Sequence, residues 1–196
     1  MKKWVNVDIK VGKGSNIDED VILGYPTARK IKPTGVTIGA QALMRSGTVI
    51  YDSTCVGNDF QTGHHVVIRE ENKIGDQVSI WANTVIDYGC QIGHRVKIHS
   101  NVYIAQFSVI EDDVFIAPGV SFANDKYPVS SELVGPKIKR GAKIGVNATV
   151  LPGVVIEEDA LIGAGSVVTK DVPKGAVVAG NPARVMGAVS EMGKKS

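Results

Sequence analysis

From Ile38 onward, every sixth residue is aliphatic or close to it: Ile38, Met44, Ile50, Val56, Thr62, Ile68, Ile74, Ile80, Ile86, Ile92, Ile98, Ile104, Ile110, Ile116 and Phe122. The register resumes as Ile138, Ile144, Val150, Ile156, Ile162 and Val168. A chain holds a six-residue period that long only if each hexad is the same piece of structure stacked on copies of itself. The fifth residue of many hexads is also small or branched, as in Val66, Val78, Thr84, Val96, Val102, Ser108, Val114 and Val120. Gly, Asp, Asn, Glu and Lys fill the positions between. This is strand alternation interrupted by corners, not helical spacing. Three short strands and three corners close a triangular coil of 18 residues, and such coils stack at about 4.8 Å.

An earlier block, Val5, Val11, Ile17 and Leu23, keeps the same step. The register breaks after Leu23 and again after Phe122, so 24–37 and 123–137 read as inserts leaving the coil. Long excursions from a rigid scaffold carry binding or lid functions. The expected organisation is an all-β prism of about eight coils over 1–183, followed by a short helix or tail over 184–196.

Composition narrows the function classes. With 43% apolar and 21% charged residues in 196, the chain is long enough for one substantial core. A net charge of +2 is too small to imply a nucleic-acid or membrane partner, and 6% aromatics leaves little for base stacking. Cys55 and Cys90 form no CxxC pair. No apolar run reaches the roughly 20 residues of a membrane span. The opening MKKWVNVDIKVGKG lacks the pattern of a secretory signal, so a cytoplasmic location is expected.

The repeat resembles the hexapeptide-repeat, left-handed parallel β-helix, and the handedness is taken from that resemblance. The segment GAGSVVTKDVPKGAVVAGNPA (163–183) with Arg184 resembles the C-terminal cap of hexapeptide acyltransferases that use an acyl-coenzyme A. GHHVVIRE (63–70), IEDDVFIAPGVSF (110–122) and NDKYP (124–128) are similar to the N-acetyltransferases of nucleotide-linked amino sugars. The resemblance implies a homotrimer with sites between adjacent prisms, acetyl-CoA as cosubstrate, no resident metal, and a role in surface-glycan biosynthesis.

An 18-residue ruler places side chains without the family. His65, Asn83 and Asn101 share one column and Trp81 and His99 another, expected at one corner beneath the 123–137 insert. The inferred reaction is attack of a sugar amine on a thioester, which needs a neutral amine, an oxyanion donor and close alignment. His99 is the expected proton acceptor, with Asn101 or Asn83 orienting the sugar or a relay water. Asn124, Asp125, Lys126, Tyr127 and His65 are expected at the sugar nucleotide, with Lys126, Arg69 and Arg140 suited to its diphosphate. The resemblance places Ala142, Gly145, Ala148, Gly163 and Ala164 along the pantetheine arm, with Lys170 and Arg184 at its phosphate.

Three rival readings remain at this point. His94 and His99 have the H-x4-H spacing that resembles γ-class carbonic anhydrases, but the position stacking under His99 is Trp81, and His64 is one residue out of register. Sugar or serine O-acetyltransferases carry a histidine in or beside the extruded loop, and 123–137 has none. A β-helical assembly protein without catalysis is the third.

Overall fold

The computed structural model describes residues 2–3 and 7–192. Val5 of the early hexad block and residues 193–196 of the expected tail lie outside the described residues. Among those described, the strands form three sheets of nine, eight and ten strands, parallel except at the terminal strand, that wrap a left-handed triangular prism. Face one holds Val67–Ile68, Val85–Ile86 and Tyr103–Ile104, with Ile68 paired to Ile86 and Ile86 to Ile104. Face two holds Lys73–Ile74, Gln91–Ile92 and Val109–Ile110. Face three holds Ser79–Ile80, Lys97–Ile98 and Phe115–Ile116. Every one of these pairings is 18 residues apart.

Alternation on each strand sends the sixth residue and the one two before it inward together. Val78 with Ile80, Val96 with Ile98 and Val114 with Ile116 are all buried, and their stacks merge into one continuous core. Each buried isoleucine contributes about 2–3 kcal/mol relative to exposure. Where the inward position is polar, its hydrogen bonds are met locally: Thr84 donates to the His99 carbonyl at 2.7 Å and Ser108 to the Ala105 carbonyl at 2.7 Å.

The corners explain the intervening residues. One residue per corner has positive φ, recurring every six positions from Gln41 to Gly119 and from Gly141 to Gly165. Asparagine, aspartate and glycine tolerate this left-handed conformation best, which accounts for their frequency between apolar pairs. Gly75 answers a different need, because a Cβ there would lie 2.7 Å from the Gly93 carbonyl oxygen and 3.0 Å from the His94 nitrogen.

Both inserts leave the prism at the same corner. The first runs from Ile22–Tyr25 on face one to Val36–Ile38 on face two, the second from Ser121–Phe122 to Lys137–Ile138. Tyr25 still pairs with Tyr51, and Val36 is already back on face two opposite Thr54, so the first excursion is shorter than 24–37. After 183 the expected helix or tail is replaced by a strand. Ala183–Ala188 pairs antiparallel with Ala176–Gly180 on face three, and a single 3-10 turn follows over Val189–Glu191. The hairpin gives backbone partners to a sheet edge that a helix would leave open. No described helix is long and apolar enough to cross a membrane.

Gly75→Ala should destabilise the protein by about 1–3 kcal/mol, because the added methyl meets only backbone that cannot yield without separating two coils. Chemical denaturation would register this as a lower midpoint with an unchanged slope.

Candidate functional site

The corner between faces one and two holds the buried charged residues Glu70 and Asp87. Glu70 is fully buried and Asp87 nearly so. Arg69 grips Glu70 through two bonds, Nε to Oε2 at 2.9 Å and Nη2 to Oε1 at 3.1 Å, and reaches Asp87 Oδ1 at 3.5 Å. From the first insert, Thr27 donates to Glu70 at 2.7 Å and Arg29 bonds Glu71 at 2.6 Å and Glu70 at 3.4 Å. The Arg29 guanidinium also lies 3.8 Å from the centre of the Tyr88 ring. On the other side, Asp87 Oδ2 accepts from the Tyr103 hydroxyl at 2.8 Å and from Gln106 Nε2 at 2.5 Å. Gln106 Oε1 in turn accepts from Asn124 Nδ2 of the second insert at 2.5 Å. Hydrogen bonds, linked through the Arg69–Asp87 ion pair, therefore join the two inserts.

The electrostatics follow from these contacts. Burial pushes the Glu70 carboxyl up, but Arg69, its own amide and Thr27 outweigh burial and hold it below its ordinary value. Burial, then the hydrogen bond to Asp87, raises the Tyr103 phenol well above its usual range, so it stays a donor. Cys90, whose thiol donates to the Asp87 carbonyl, is pushed up to about 12 by burial and is inert.

A second feature runs along face three. Strand register puts Gly63, Trp81, His99, Ala117, Gly145, Gly163 and Ala179 in one outward column, and Arg184 pairs with Ala179 at its end. His99 is half-buried, with its ring 6.0 Å from Trp81 and 5.0 Å from Phe115, and neither nitrogen bonds a described residue. These three rings line a groove of about 530 Å³ with Gln61, Ser79 and Lys97. Beyond His99 the column is smooth: a Cβ on Gly163 would lie 2.9 Å from that of Ala179. Lys170, Asp171 and Arg184 line one hollow of about 210 Å³ at the end of the prism, with Val168, Val172 and Val178 beneath them.

The geometry revises several expectations. His65, Asn83 and Asn101 do share a column, but at the corner between faces three and one, while the 123–136 loop leaves from the corner between faces one and two. They are not beneath the loop. Each has φ of 56–59° and donates its backbone amide to a carbonyl of the coil below; neither asparagine side chain bonds a described residue. Arg69 is committed to Glu70 and Asp87 and offers no open fork to a diphosphate. Arg140 sits at the third corner near Asp112, away from the loop. Asp125 accepts from the Tyr127 amide and from the Ser130 amide and hydroxyl, so it shapes the loop from within. Lys126 and Tyr127 are exposed, 5.7 Å apart. Ala142 and Ala148 are inward core residues with no exposure, so they cannot line a groove; Gly145, Gly163 and Ala164 do reach the surface. His94 belongs to a corner ladder, its Nδ1 accepting the Asp76 amide at 3.0 Å, and is not on the His99 face. Among the described residues no group of three His, Cys, Asp or Glu is placed to hold a metal ion.

Glu70, Tyr88 and Gln106, which sequence reasoning passed over, were within reach of the ruler that leads to the expected Asn124. Glu70, Tyr88, Gln106 and Asn124 are successive members of one 18-residue column, the one from which the second insert departs.

Because the Glu70 carboxyl is depressed in the folded state, its stabilising contribution is complete above its ordinary value of 4.5 and is lost as pH falls through the lower folded value. Glu70→Gln should cost about 2 kcal/mol at neutral pH. It should also flatten the fall in unfolding free energy below pH 4.5; a variant with the parent's acid slope would contradict the assignment.

The repeat itself matches a known family model, bacterial transferase hexapeptide (six repeats), over residues 73–106, 89–124 and 135–170. Over 58 residues the chain is 48% identical to dTDP-3-amino-3,6-dideoxy-alpha-D-galactopyranose 3-N-acetyltransferase of Aneurinibacillus thermoaerophilus, covering 30% of each. Over 133 residues it is 32% identical to galactoside O-acetyltransferase of Escherichia coli, covering 62% of this chain and 66% of that one. The chain spans between 30% and 66% of the length of the first curated relatives it matches. Among solved structures, UDP-N-acetylglucosamine O-acyltransferase of Moraxella catarrhalis superposes with a TM-score of 0.59 at 26% identity, covering all of this chain and 78% of that one. The N-acyltransferase AntD of Bacillus cereus shares the fold, with a TM-score of 0.53 at 18% identity over 81% of this chain and 89% of that one. The matched repeats, continued by the same hexad and the same corner geometry on either side of them, make the chain a member of the bacterial hexapeptide-repeat transferases.

Proposed function

We propose that the chain is an acyl-CoA-dependent acetyltransferase acting on the amine of a nucleotide-linked amino sugar, working as a homotrimer. The observation that carries the acyl-CoA part is the face-three column. From His99 through Ala117, Gly145, Gly163 and Ala179 to Arg184 it crosses five strand spacings, roughly 24 Å. A smooth track of that length, with a histidine at one end and Arg184 at the other, fits a long thin carrier ending in phosphates. Lys170 and Arg184 would hold the phosphates and Gly145, Gly163 and Ala164 would admit the pantetheine close to the backbone.

In the reaction the sugar nitrogen attacks the thioester carbonyl, a C–N bond forms, and the C–S bond breaks to release the thiol. His99 takes the proton lost by nitrogen and returns it to the departing sulfur, so no net proton is left on the protein. The loop beginning at Asn124, with Lys126 and Tyr127 exposed on it, would hold the sugar nucleotide. Identity to the dTDP-amino-sugar N-acetyltransferase supports the choice of acceptor. O-acetylation is the second reading, favoured by the unpaired His99 ring, which would equally deprotonate a hydroxyl.

Incubating the protein with acetyl-CoA and a panel of UDP- and dTDP-linked amino sugars should release free thiol with at least one of them. Turnover confined to hydroxyl acceptors would transfer the assignment to the second reading. His99→Asn should lower kcat about 100-fold with the KM for acetyl-CoA little changed; near-normal turnover removes His99 from the mechanism. Arg184→Ala should raise the KM for acetyl-CoA about tenfold, leaving the acceptor KM alone.

A further inference from the structure

The chain of amides at the face-one corner has a direction. A carboxylate accepts and cannot donate, so the Gln106 atom facing Asp87 Oδ2 must be the nitrogen. That turns Gln106 Oε1 toward the second insert, where it needs a donor, and Asn124 supplies one through Nδ2. The Asn124 amide is thereby fixed as well, with its Oδ1 directed away from Gln106. Asp87 itself cannot turn: Tyr88 donates its backbone amide to Oδ1 at 2.8 Å, Tyr103 donates to Oδ2 at 2.8 Å, and Arg69 stands at 3.5 Å. Asn124 is also the base of the loop, its carbonyl accepting from Val134 at 2.8 Å.

We propose that Asp87 and Gln106 are positioning residues that set the polarity of Asn124, so that the loop presents a hydrogen-bond acceptor, the Asn124 Oδ1, to a hydroxyl or amine donor of the sugar. Asn124 is then a specificity residue for donor-bearing sugar positions. This rests on the reading that the 123–136 loop holds the acceptor sugar. Asn124 and Gln106 are half-buried, so both can be exchanged without opening the core.

The relay can be reversed, and that gives the test. In Asn124→Asp the introduced carboxylate cannot donate to Gln106, and turning Gln106 over would set its oxygen against Asp87. The acceptor KM, measured with whichever panel amino sugar is acetylated, should rise at least tenfold while the acetyl-CoA KM stays within twofold. Adding Asp87→Asn to Asn124→Asp lets the relay run backwards. The amide introduced at position 87 then donates to Gln106 Oε1, and Gln106 Nε2 donates to the carboxylate introduced at position 124. The double variant should recover the acceptor KM to within threefold of the parent. An unchanged acceptor KM in the single variant, or a double variant no better than the single, overturns the proposal. Hydrogen exchange of the Asn124 side-chain amide in the ligand-free protein, followed by NMR, is independent of the substrate. It should be slowed in the parent and released in Gln106→Met. Fast exchange in the parent refutes the relay whatever the protein acetylates; absence of turnover with every panel sugar, beside a protected Asn124 amide, would instead refute the reading of the substrate.

Discussion

The structure depends on the ladder of backbone hydrogen bonds between successive coils. Strand amides donate to carbonyls of the next coil and corner amides to the coil below, at about 3 Å, with the registers Ile68 to Ile86 to Ile104 and Ile80 to Ile98 to Ile116 held throughout. A slip of one residue would turn every inward isoleucine to solvent, so the core and the ladder enforce the same alignment. The left-handed residue at each corner is the local cost of turning the chain three times per coil, about 1 kcal/mol or more where it is not glycine. Burial of two apolar side chains per hexad offsets it. Side chains 18 apart consequently lie in columns, and any chemistry the protein performs has to be composed from columns and from whatever interrupts them.

Two columns are composed in that way. On face three, replacing outward side chains by Ala117, Gly145 and Gly163 removes everything that would stand above the backbone, leaving a track that begins at His99. At the corner between faces one and two the opposite has happened: Glu70, Tyr88, Gln106 and Asn124 fill a column with groups that need partners. Burying Glu70 is tolerable because Arg69 and Thr27 complete its hydrogen bonds, and removing any one partner would leave a charge or an amide stranded. The polar column anchors the inserts as the apolar one anchors the strands.

The fold was legible because the period is a direct imprint of strand geometry: Val96, Ile98, Val102 and Ile104 can all be buried at once only on short strands joined by corners. The inward position two residues before each hexad isoleucine was legible too, and it places Ala142 and Ala148 in the core. The resemblance places them on a ligand track, yet it does not report which side of the strand a residue occupies; their spacing from Ile144 and Val150 does. The corner from which the second insert leaves could be counted from Phe122, whose column is Ile68, Ile86 and Ile104. Counting instead from the histidines leads to the neighbouring corner, where Asn83 and Asn101 serve the backbone's need for positive φ. The terminal strand Ala183–Ala188 lacks the hexad altogether, and its pairing is set by the open edge it covers, a tertiary demand that no local pattern announces.

The separation of the two composed columns bears on assembly. His99 ends a face-three strand, and the relay from Asp87 to Asn124 lies beyond the next corner and across the width of face one. A stacked prism is stiff, since bending it would break ladder bonds along one face. The strands that carry the Asn124 loop and the His99 groove are therefore held apart within a single chain. In the proposed homotrimer the loop of one copy would meet the His99 groove of a neighbour without such deformation. In the proposed reaction the amine must meet the thioester within about 3–3.5 Å. Subunit packing would then set that approach, with the loop of one copy holding the sugar over the track of its neighbour. The separation is one that the proposed homotrimer would bridge, and the threefold order itself comes from the resemblance.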